Sequence, residues 1–506
     1  MSQWSSLSMR KLRVVRITGR ALRTVALIAP FALSVAAHAS EITANVLPSN
    51  ADIRKMLAAR VDSLAGPEDG IGIVVGVIGP QGRRVVSYGH RNQGDPRPLD
   101  GDTGFEIGSV SKVFTALLLA DMVRKGEVAL ADPVAKYLPV GVRLPERNGH
   151  SITLLDLATH TSGLPFMPEE SATANDSSGP NDSAARYYRF LGQYRLPREI
   201  GSQWDYSNLG YWLLSQALAS RAGMDYESLL RTRVIAPLKL TSSAITASPA
   251  MQAKLAVGHN AALQRAPSFT TVPIYAGMSV LNLVSTANDL LTFLAATMGY
   301  EPSPLAPAMA AMLKTRRPIH PGEAQALGWV VMGKGGDQLI THDGGTFGYA
   351  SSVAWDPKSR VGVVVLSNQV AGVSDIARHL LRPNVPLEKP VATRHIEIAL
   401  ASAVLDTYVG RYDTAGEGVF VISREGDFLT IESPADWGLP KLRIRPETRR
   451  DFFAAELPLR VTFETDDSGR VTGLLLYPPR GQKAVPAKKI GSNHRSDRTD
   501  SIGPIR

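Results

Sequence analysis

Ser109 and Lys112, three residues apart at the head of the apolar run Ser111 to Val123, are the pair in this 506-residue chain best placed to do chemistry. Residues three apart share a helix face, so a lysine amine there reaches the serine hydroxyl. Partial burial disfavours the ammonium and turns the amine into a base, while the positive end of the helix favours an alkoxide forming on the serine. The S-x-x-K pattern carries little weight alone, because Ser8 and Lys11 match it too. Context separates the two matches. Ser109 follows a strand-like run, has small Gly108 and Ser111 beside it, and is backed by Val113, Phe114, Leu117, Leu118 and Ala120. The chemistry this predicts is nucleophilic catalysis by serine without a histidine base.

The surrounding periodicity supplies elements to hold such a pair. Ile53 to Leu64 reads as an amphipathic helix, and strands are predicted at Ile71 to Ile78 and Arg83 to Tyr88 around a Gly79-Pro80-Gln81-Gly82 turn. Short helices are predicted within Gly126 to Pro139 and Ile152 to Leu164, and an exposed loop from Ser171 to Asn181. Helical spacing returns at Leu209 to Ala222, Tyr226 to Val234 and Ala287 to Met298, the last with Thr286 and Asp289 at capping-box spacing. Strand runs follow at Leu327 to Val331, Leu339 to His342, Tyr349 to Trp355 and Gly362 to Ser367. Helices bracketed by strands from both ends predict an α/β (α+β) fold, an antiparallel sheet flanked by helices with an inserted all-helical region. Proline-bearing Arg382 to Pro390 marks a boundary, and the short strands and turns beyond Leu405 predict a small all-β barrel or sandwich.

Composition is that of a globular protein, 44% hydrophobic and 20% charged. The net charge of +9 owes six positive charges to Arg10, Lys11, Arg13, Arg16, Arg20 and Arg23, ahead of any acid, so the remainder of +3 implies no nucleic-acid partner. Those cations precede the apolar run Val25 to Val35 and the small residues of Ala37-His38-Ala39, the pattern of a signal peptide over residues 1–39 cleaved after Ala39, with the start at Met1 or Met9. The run is shorter than the roughly 20 residues that span a bilayer, so no stable membrane anchor is expected after cleavage. Cysteine is absent, which removes disulfides, thiolate metal sites and a cysteine nucleophile. The predicted destination is a periplasm or the medium.

Two further motifs give Ser109 a setting. Tyr206-Ser207-Asn208 is the only Tyr-x-Asn in the chain, and His342-Asp343-Gly344-Gly345-Thr346 ends one strand run before another. In this order the three motifs resemble the signature elements of the penicillin-recognising serine hydrolases. The resemblance is to the branch of class C β-lactamases, D-alanyl-D-alanine carboxypeptidases and endopeptidases, and β-lactamase-fold esterases. It covers about Ile53 to Arg378, through runs such as ITLLDLATHTSGLP, WDYSNLGYWLLSQAL and HDGGTFGYASSVAWDP. Beyond it, YVGRY and VTFETDDSGRVTGLLLYP resemble the lipocalin-like domain appended to some of these hydrolases. The implied organisation is a hydrolase domain over 40–385, a linker over 386–404, a barrel over 405–491 and a disordered tail over 492–506.

The resemblance implies that Ser109 attacks a carbonyl while Lys112 and Tyr206 share general base and acid work. A neighbouring ammonium is expected to lower the pKa of the Tyr206 phenol. Asn208 is expected to hold the acyl amide and to fix Lys112 by a hydrogen bond. The backbone N–H groups of Ser109 and Gly345 would form the oxyanion hole. No cofactor or metal is implied. The substrates implied are small molecules or peptides: peptidoglycan peptides, β-lactams or esters.

Where class C β-lactamases usually carry Lys-Thr-Gly, this chain has His342-Asp343-Gly344. A histidine supports a phenolate less than a lysine does. An ionised Asp343 facing the cleft would repel the carboxylate that β-lactams and D-alanine-terminated peptides carry. The leading expectation is therefore a D-amino-acid peptidase, amidase or esterase. A class C-like β-lactamase, or a penicillin- or peptidoglycan-binding protein with little turnover, are the alternatives. His160 reads as a structural turn residue, Trp204 and Trp329 as core by default with cleft lining as the alternative, and Glu169-Glu170 and Asp466-Asp467 as solvated turns. His90, His259 and His320 lack metal-ligand spacing. Neither a G-x-S-x-G elbow nor a P-loop is present.

Overall fold

Two distant stretches rich in valine, GIVVGVIG and VGVVVLS, lie side by side in one antiparallel sheet, buried along their whole length. β-Branched side chains suit a pleat packed on both faces. A computed structural model describes residues 47–64, 70–95, 97–168, 183–261, 263–268, 278–388, 395, 397–416, 418–434, 441–454, 459–477 and 484–490. The predicted signal peptide, the predicted loop Ser171 to Asn181 and the tail Ser492 to Arg506 lie outside these residues.

The first helix, α1, is Asn50–Leu64, and the hairpin β1 (Gly72–Gly79) and β2 (Gly82–Gly89) follows it. Strand β3 (Gly104–Glu106) leads into α2 (Ser111–Arg124), and the small hairpin β4 (Glu146–Arg147) and β5 (His150–Ser151) precedes α3 (Leu154–Ala158). The helical insertion continues through α4 (Ser183–Gln193), α5 (Asn208–Ala222), α6 (Tyr226–Leu230) and α7 (Pro249–Gln252). Strand β6 (Val284–Thr286) pairs with β3 and is followed by α8 (Ala287–Thr297) and α9 (Ala306–Met312). The chain then re-enters the sheet as β7 (Arg317–Pro318), β8 (Glu323–Gln325), β9 (Val330–Met332), β10 (Leu339–Gly345), β11 (Ala350–Asp356) and β12 (Val361–Ser367), before α10 (Ser374–Leu381). The order across the eight-stranded sheet is β2-β1-β12-β11-β10-β9-β8-β7.

Alternation sends the two sides of each central strand to different cores. Ile73, Val75, Val363 and Val365 pack with Ile53, Leu57, Ile376 and Leu380 of α1 and α10, which a buried Arg60–Asp375 ion pair joins. Val74, Val364 and Leu366 face the larger core shared with α2, α5 and α8. The rings of Phe114 on α2 and Phe293 on α8 lie 4.8 Å apart within it. Half of the expected capping box before α8 forms: Thr286 accepts from the Asp289 N–H, but the Asp289 carboxylate turns to the backbone of Ser242 and the hydroxyl of Ser243.

After α11 (Ser402–Tyr408), eight strands close a barrel in sequential order: β13 (Gly410–Asp413), β14 (Val419–Glu425), β15 (Phe428–Glu432), β16 (Leu442–Pro446), β17 (Asp451–Ala454), β18 (Arg460–Thr465), β19 (Val471–Tyr477) and β20 (Val485–Ile490). Pairing of β13 with β20 removes both free edges. Its core is aromatic, with Tyr408 stacked on Phe463 at 4.4 Å and Phe452 edge-on to the same ring.

Candidate active site

Ser109 sits on a 3₁₀ turn, Gly108–Val110, which feeds directly into α2. Residues three apart eclipse in a 3₁₀ turn, and Lys112 Nζ lies 3.0 Å from Ser109 Oγ. The turn is held from behind, where Ile107 N–H donates to the Leu283 carbonyl at 3.0 Å and Leu283 N–H donates to Ser111 Oγ at 3.3 Å. Gly108 adopts a φ of +50°, and a side chain there would strike the backbone of Gly345. That contact brings the end of β10 against the turn that carries Ser109.

Lys112 is completely buried. Among the described residues no carboxylate offsets that burial, which holds its pKa well below the usual lysine range. Its Nζ faces the rings of Tyr206, 4.8 Å away, and Tyr211, 5.7 Å away. Tyr206 precedes α5, whose cap is the Ser207 hydroxyl accepting from Gly210 N–H at 2.8 Å. The Tyr206 phenol shares a hydrogen bond with Ser109, but burial outweighs it and raises the phenol above its ordinary pKa. The expected lowering by a neighbouring ammonium is thus reversed: desolvation penalises phenolate and ammonium alike, and the site favours a neutral phenol beside a neutral amine.

The third motif forms the end of β10. Pairing with β9 stops at Thr341, so the backbone from His342 onward is free on that edge. Thr346 N–H bonds to the Tyr349 carbonyl at 3.0 Å. Alternation along the ladder then turns the Gly345 N–H away from β11, toward the open edge. A side chain at Gly344 would come within 2.1 Å of the Ile107 carbonyl and 3.1 Å of Ser109 N. Strand and nucleophile turn therefore touch backbone to backbone, the approach an oxyanion site built from Ser109 N–H and Gly345 N–H requires. His342 is buried, and desolvation together with Lys112 lowers its pKa to about 3, leaving the imidazole neutral.

Asp343 departs from the expectation that its carboxylate opposes a substrate carboxylate in the cleft. Strand alternation separates it from His342, and its two oxygens accept from Ser352 Oγ at 2.7 Å and from Arg378 Nη2 of α10 at 2.9 Å. The charge is balanced within the protein, so repulsion of a substrate is not its consequence. The expected bond between Asn208 and Lys112 is also not formed: Asn208 Oδ1 is buried and without a hydrogen-bond partner among the described residues.

Sequence reasoning leaves three neighbours out of the catalytic set, although it offers Trp204 as cleft lining. His160 stacks on Tyr206, and Trp204 stands 6.2 Å from the same ring while its indole N–H donates to Gln325 at 3.2 Å. Tyr211 lies three residues after Asn208 on α5, a spacing that signals a shared face. Trp329 is core, as read. Among the described residues no group of three or more His, Asp or Glu is placed to hold a metal ion.

The hydroxyl of Ser109, the buried amine of Lys112 and the phenol of Tyr206 thus meet at the edge of the helical insertion. Residues 57–383 match the model of the beta-lactamase family, and the chain belongs to that family. Over 344 residues it is 29% identical to the D-alanyl-D-alanine-carboxypeptidase/endopeptidase AmpH of Escherichia coli (strain K12), covering 63% of this chain and 87% of that protein. It is 25% identical over 468 residues to penicillin-binding protein 4* of Bacillus subtilis (strain 168), covering 86% of this chain and 99% of that protein. Among solved structures, the class C beta-lactamase of Rhodobacter sphaeroides aligns with a TM-score of 0.54 at 25% identity, over 65% of this chain and 97% of that one.

Proposed function

We propose that this chain is an exported D-amino-acid peptidase, a carboxypeptidase or endopeptidase working through an acyl-Ser109 intermediate, or a closely related amidase or esterase. The observation that carries this reading is the 3.0 Å approach of Lys112 Nζ to Ser109 Oγ inside a pocket that disfavours the ammonium. The name of the Escherichia coli relative supports the peptide substrate. As free amine, Lys112 takes the Ser109 proton while Oγ bonds to the carbonyl carbon. The carbonyl electron pair moves to oxygen, where the N–H groups of Ser109 and Gly345 receive it. Collapse expels the leaving nitrogen, which takes its proton from the neutral Tyr206 phenol, and the Lys112 ammonium returns a proton to Tyr206. Water then cleaves the acyl ester and restores Ser109. In this reading residues 40–385 form the catalytic module and 405–491 a separate barrel module, and the leader ends at Ala39.

The test is mass spectrometry of the purified protein mixed with a D-alanyl-D-alanine peptide, a fluorescent penicillin and a p-nitrophenyl ester, each followed over time. Turnover of the peptide through a transient Ser109 adduct is expected. A persistent penicillin adduct without product would make it a binding protein, and fast penicillin turnover a β-lactamase. Reaction unchanged in Ser109→Ala would overturn the assignment altogether. N-terminal sequencing of the exported protein should begin at Ser40.

A further inference from the structure

His160 is buried, takes no part in the steps above, and touches the tyrosine motif in three ways. Its ring stacks on Tyr206 with centroids 4.3 Å apart and planes at 26°. Its Nδ1 accepts from the Ser207 N–H at 3.1 Å. Its carbonyl accepts from the Asp205 N–H at 2.8 Å. The residues on both sides of Tyr206 are thus tied to one histidine, and the phenol ring lies flat on its imidazole. To reach this position His160 leaves α3 with a φ of +56°, in the left-handed region that side chains rarely adopt. Accepting at Nδ1 places the proton on Nε2, which is buried and has no partner among the described residues. A left-handed backbone and an unmatched buried donor both cost stability, and an apolar turn residue would avoid the second. The same loop also braces the next two positions, since Ser207 Oγ donates to the Pro165 carbonyl at 2.7 Å and Asn208 N–H to the Phe166 carbonyl at 3.0 Å.

We infer that His160 is a positioning residue for Tyr206, holding the phenol on the line between Ser109 and the leaving group. The inference rests on the proposed acyl-Ser109 reaction and on the role of Tyr206 as proton donor within it. Burial and the nearby Lys112 keep the imidazole neutral, so its contribution is geometric. A displaced phenol matters only where the leaving group needs a proton. An amide nitrogen cannot leave without one, whereas p-nitrophenolate leaves unaided. Loss of His160 therefore discriminates between two substrates that share an acyl group.

The experiment compares acylation of Ser109 by an acyl-D-alanyl-D-alanine peptide and by the p-nitrophenyl ester of the same acyl-D-alanine, in wild type, His160→Ala, His160→Asn, Tyr206→Phe and the double variant His160→Ala/Tyr206→Phe. Rates are normalised to the fraction of protein that titrates as active. His160→Ala should slow the amide by about 10- to 100-fold, the cost of misplacing a reacting group, and leave the ester within about 3-fold of wild type. His160→Asn tolerates a left-handed backbone and keeps an acceptor for Ser207 N–H, so it should fall between the two while folding as wild type. Adding His160→Ala to Tyr206→Phe should cost nothing further on the amide. An equal loss on both substrates, or additive losses in the double variant, would show a purely structural role and overturn the inference. Absence of a Ser109 adduct with either substrate in wild type would instead overturn the proposed function, and this inference with it.

Discussion

Gly344 and Gly345 are adjacent, yet the structure assigns them opposite tolerances. An added Cβ at Gly344 would lie 2.1 Å from the Ile107 carbonyl, 2.4 Å from Ser351 Oγ and 3.1 Å from Ser109 N. Backbone cannot yield to it, so β10 and the nucleophile turn must separate by about 1 Å to restore a normal contact, an overpacking that costs about 1–3 kcal/mol of stability. In the proposed reaction those two segments each carry one oxyanion donor. Moving or losing one such donor costs about 100- to 1,000-fold in turnover. An added Cβ at Gly345 would meet only the Tyr349 carbonyl, at 3.9 Å, an ordinary contact. Gly344→Ala should therefore slow acylation by about 100-fold with a lowered Tm, while Gly345→Ala retains its N–H and stays within about 3-fold of wild type. The assay is pre-steady-state acylation by a p-nitrophenyl ester, with thermal unfolding beside it to confirm that both variants are folded at the assay temperature. Wild-type rates in Gly344→Ala, or equal losses in the two variants, would refute the backbone contact as the device that builds the oxyanion site.

Because Lys112 must be a free amine and its pKa is depressed by burial, acylation should rise with pH through a midpoint well below that of an ordinary lysine, and a pH–rate profile rising only near pH 10.5 would contradict this. His342 has a pKa of about 3 in the folded protein, against about 6.5 when unfolded. The unfolded chain alone binds that proton between the two values, so stability falls as pH drops from about 6.5 toward 3. Urea unfolding should show His342→Gln losing about 3 kcal/mol less than wild type between pH 6.5 and 4, and identical pH slopes would rule the burial out as the cause. Asp343→Thr releases Arg378 from its 2.9 Å ion pair. It should leave the ratio of kcat/KM between carboxylate-bearing substrates and neutral esters within about 3-fold of wild type, and a selective gain on the carboxylate-bearing substrates would return Asp343 to the cleft.

Local pattern carried much of this protein. Valine-rich runs announced the central strands because those strands are buried on both faces, and the apolar stretch after Ser109 announced a helix with Lys112 on the face of Ser109. The barrel was legible only in part. The strands beginning at Val419, Leu429, Leu442, Arg460 and Val471 carry an alternating pattern in the sequence that marks them as strands. Gly410–Asp413, Asp451–Ala454 and Val485–Ile490 are short or proline-bearing, and the first and last of these become strands because closure pairs them with each other.

Residue type and spacing by themselves singled out Ser109, Lys112 and the tyrosine motif as candidates, since three residues along a helical turn fix who can touch whom. Which way a side chain points from a strand, and what waits there, is a property of the assembled molecule. Asp343 lies beside His342 in sequence, yet its carboxylate turns to Arg378 on a helix 35 residues later while the buried imidazole stays near enough to Lys112 for its charge to lower the imidazole pKa. Likewise nothing local distinguishes His160 from any turn histidine. Only folding brings it under Tyr206, 46 positions away in the chain, and only burial, which taxes every charge in the pocket, shifts lysine, phenol and both imidazoles toward their neutral forms.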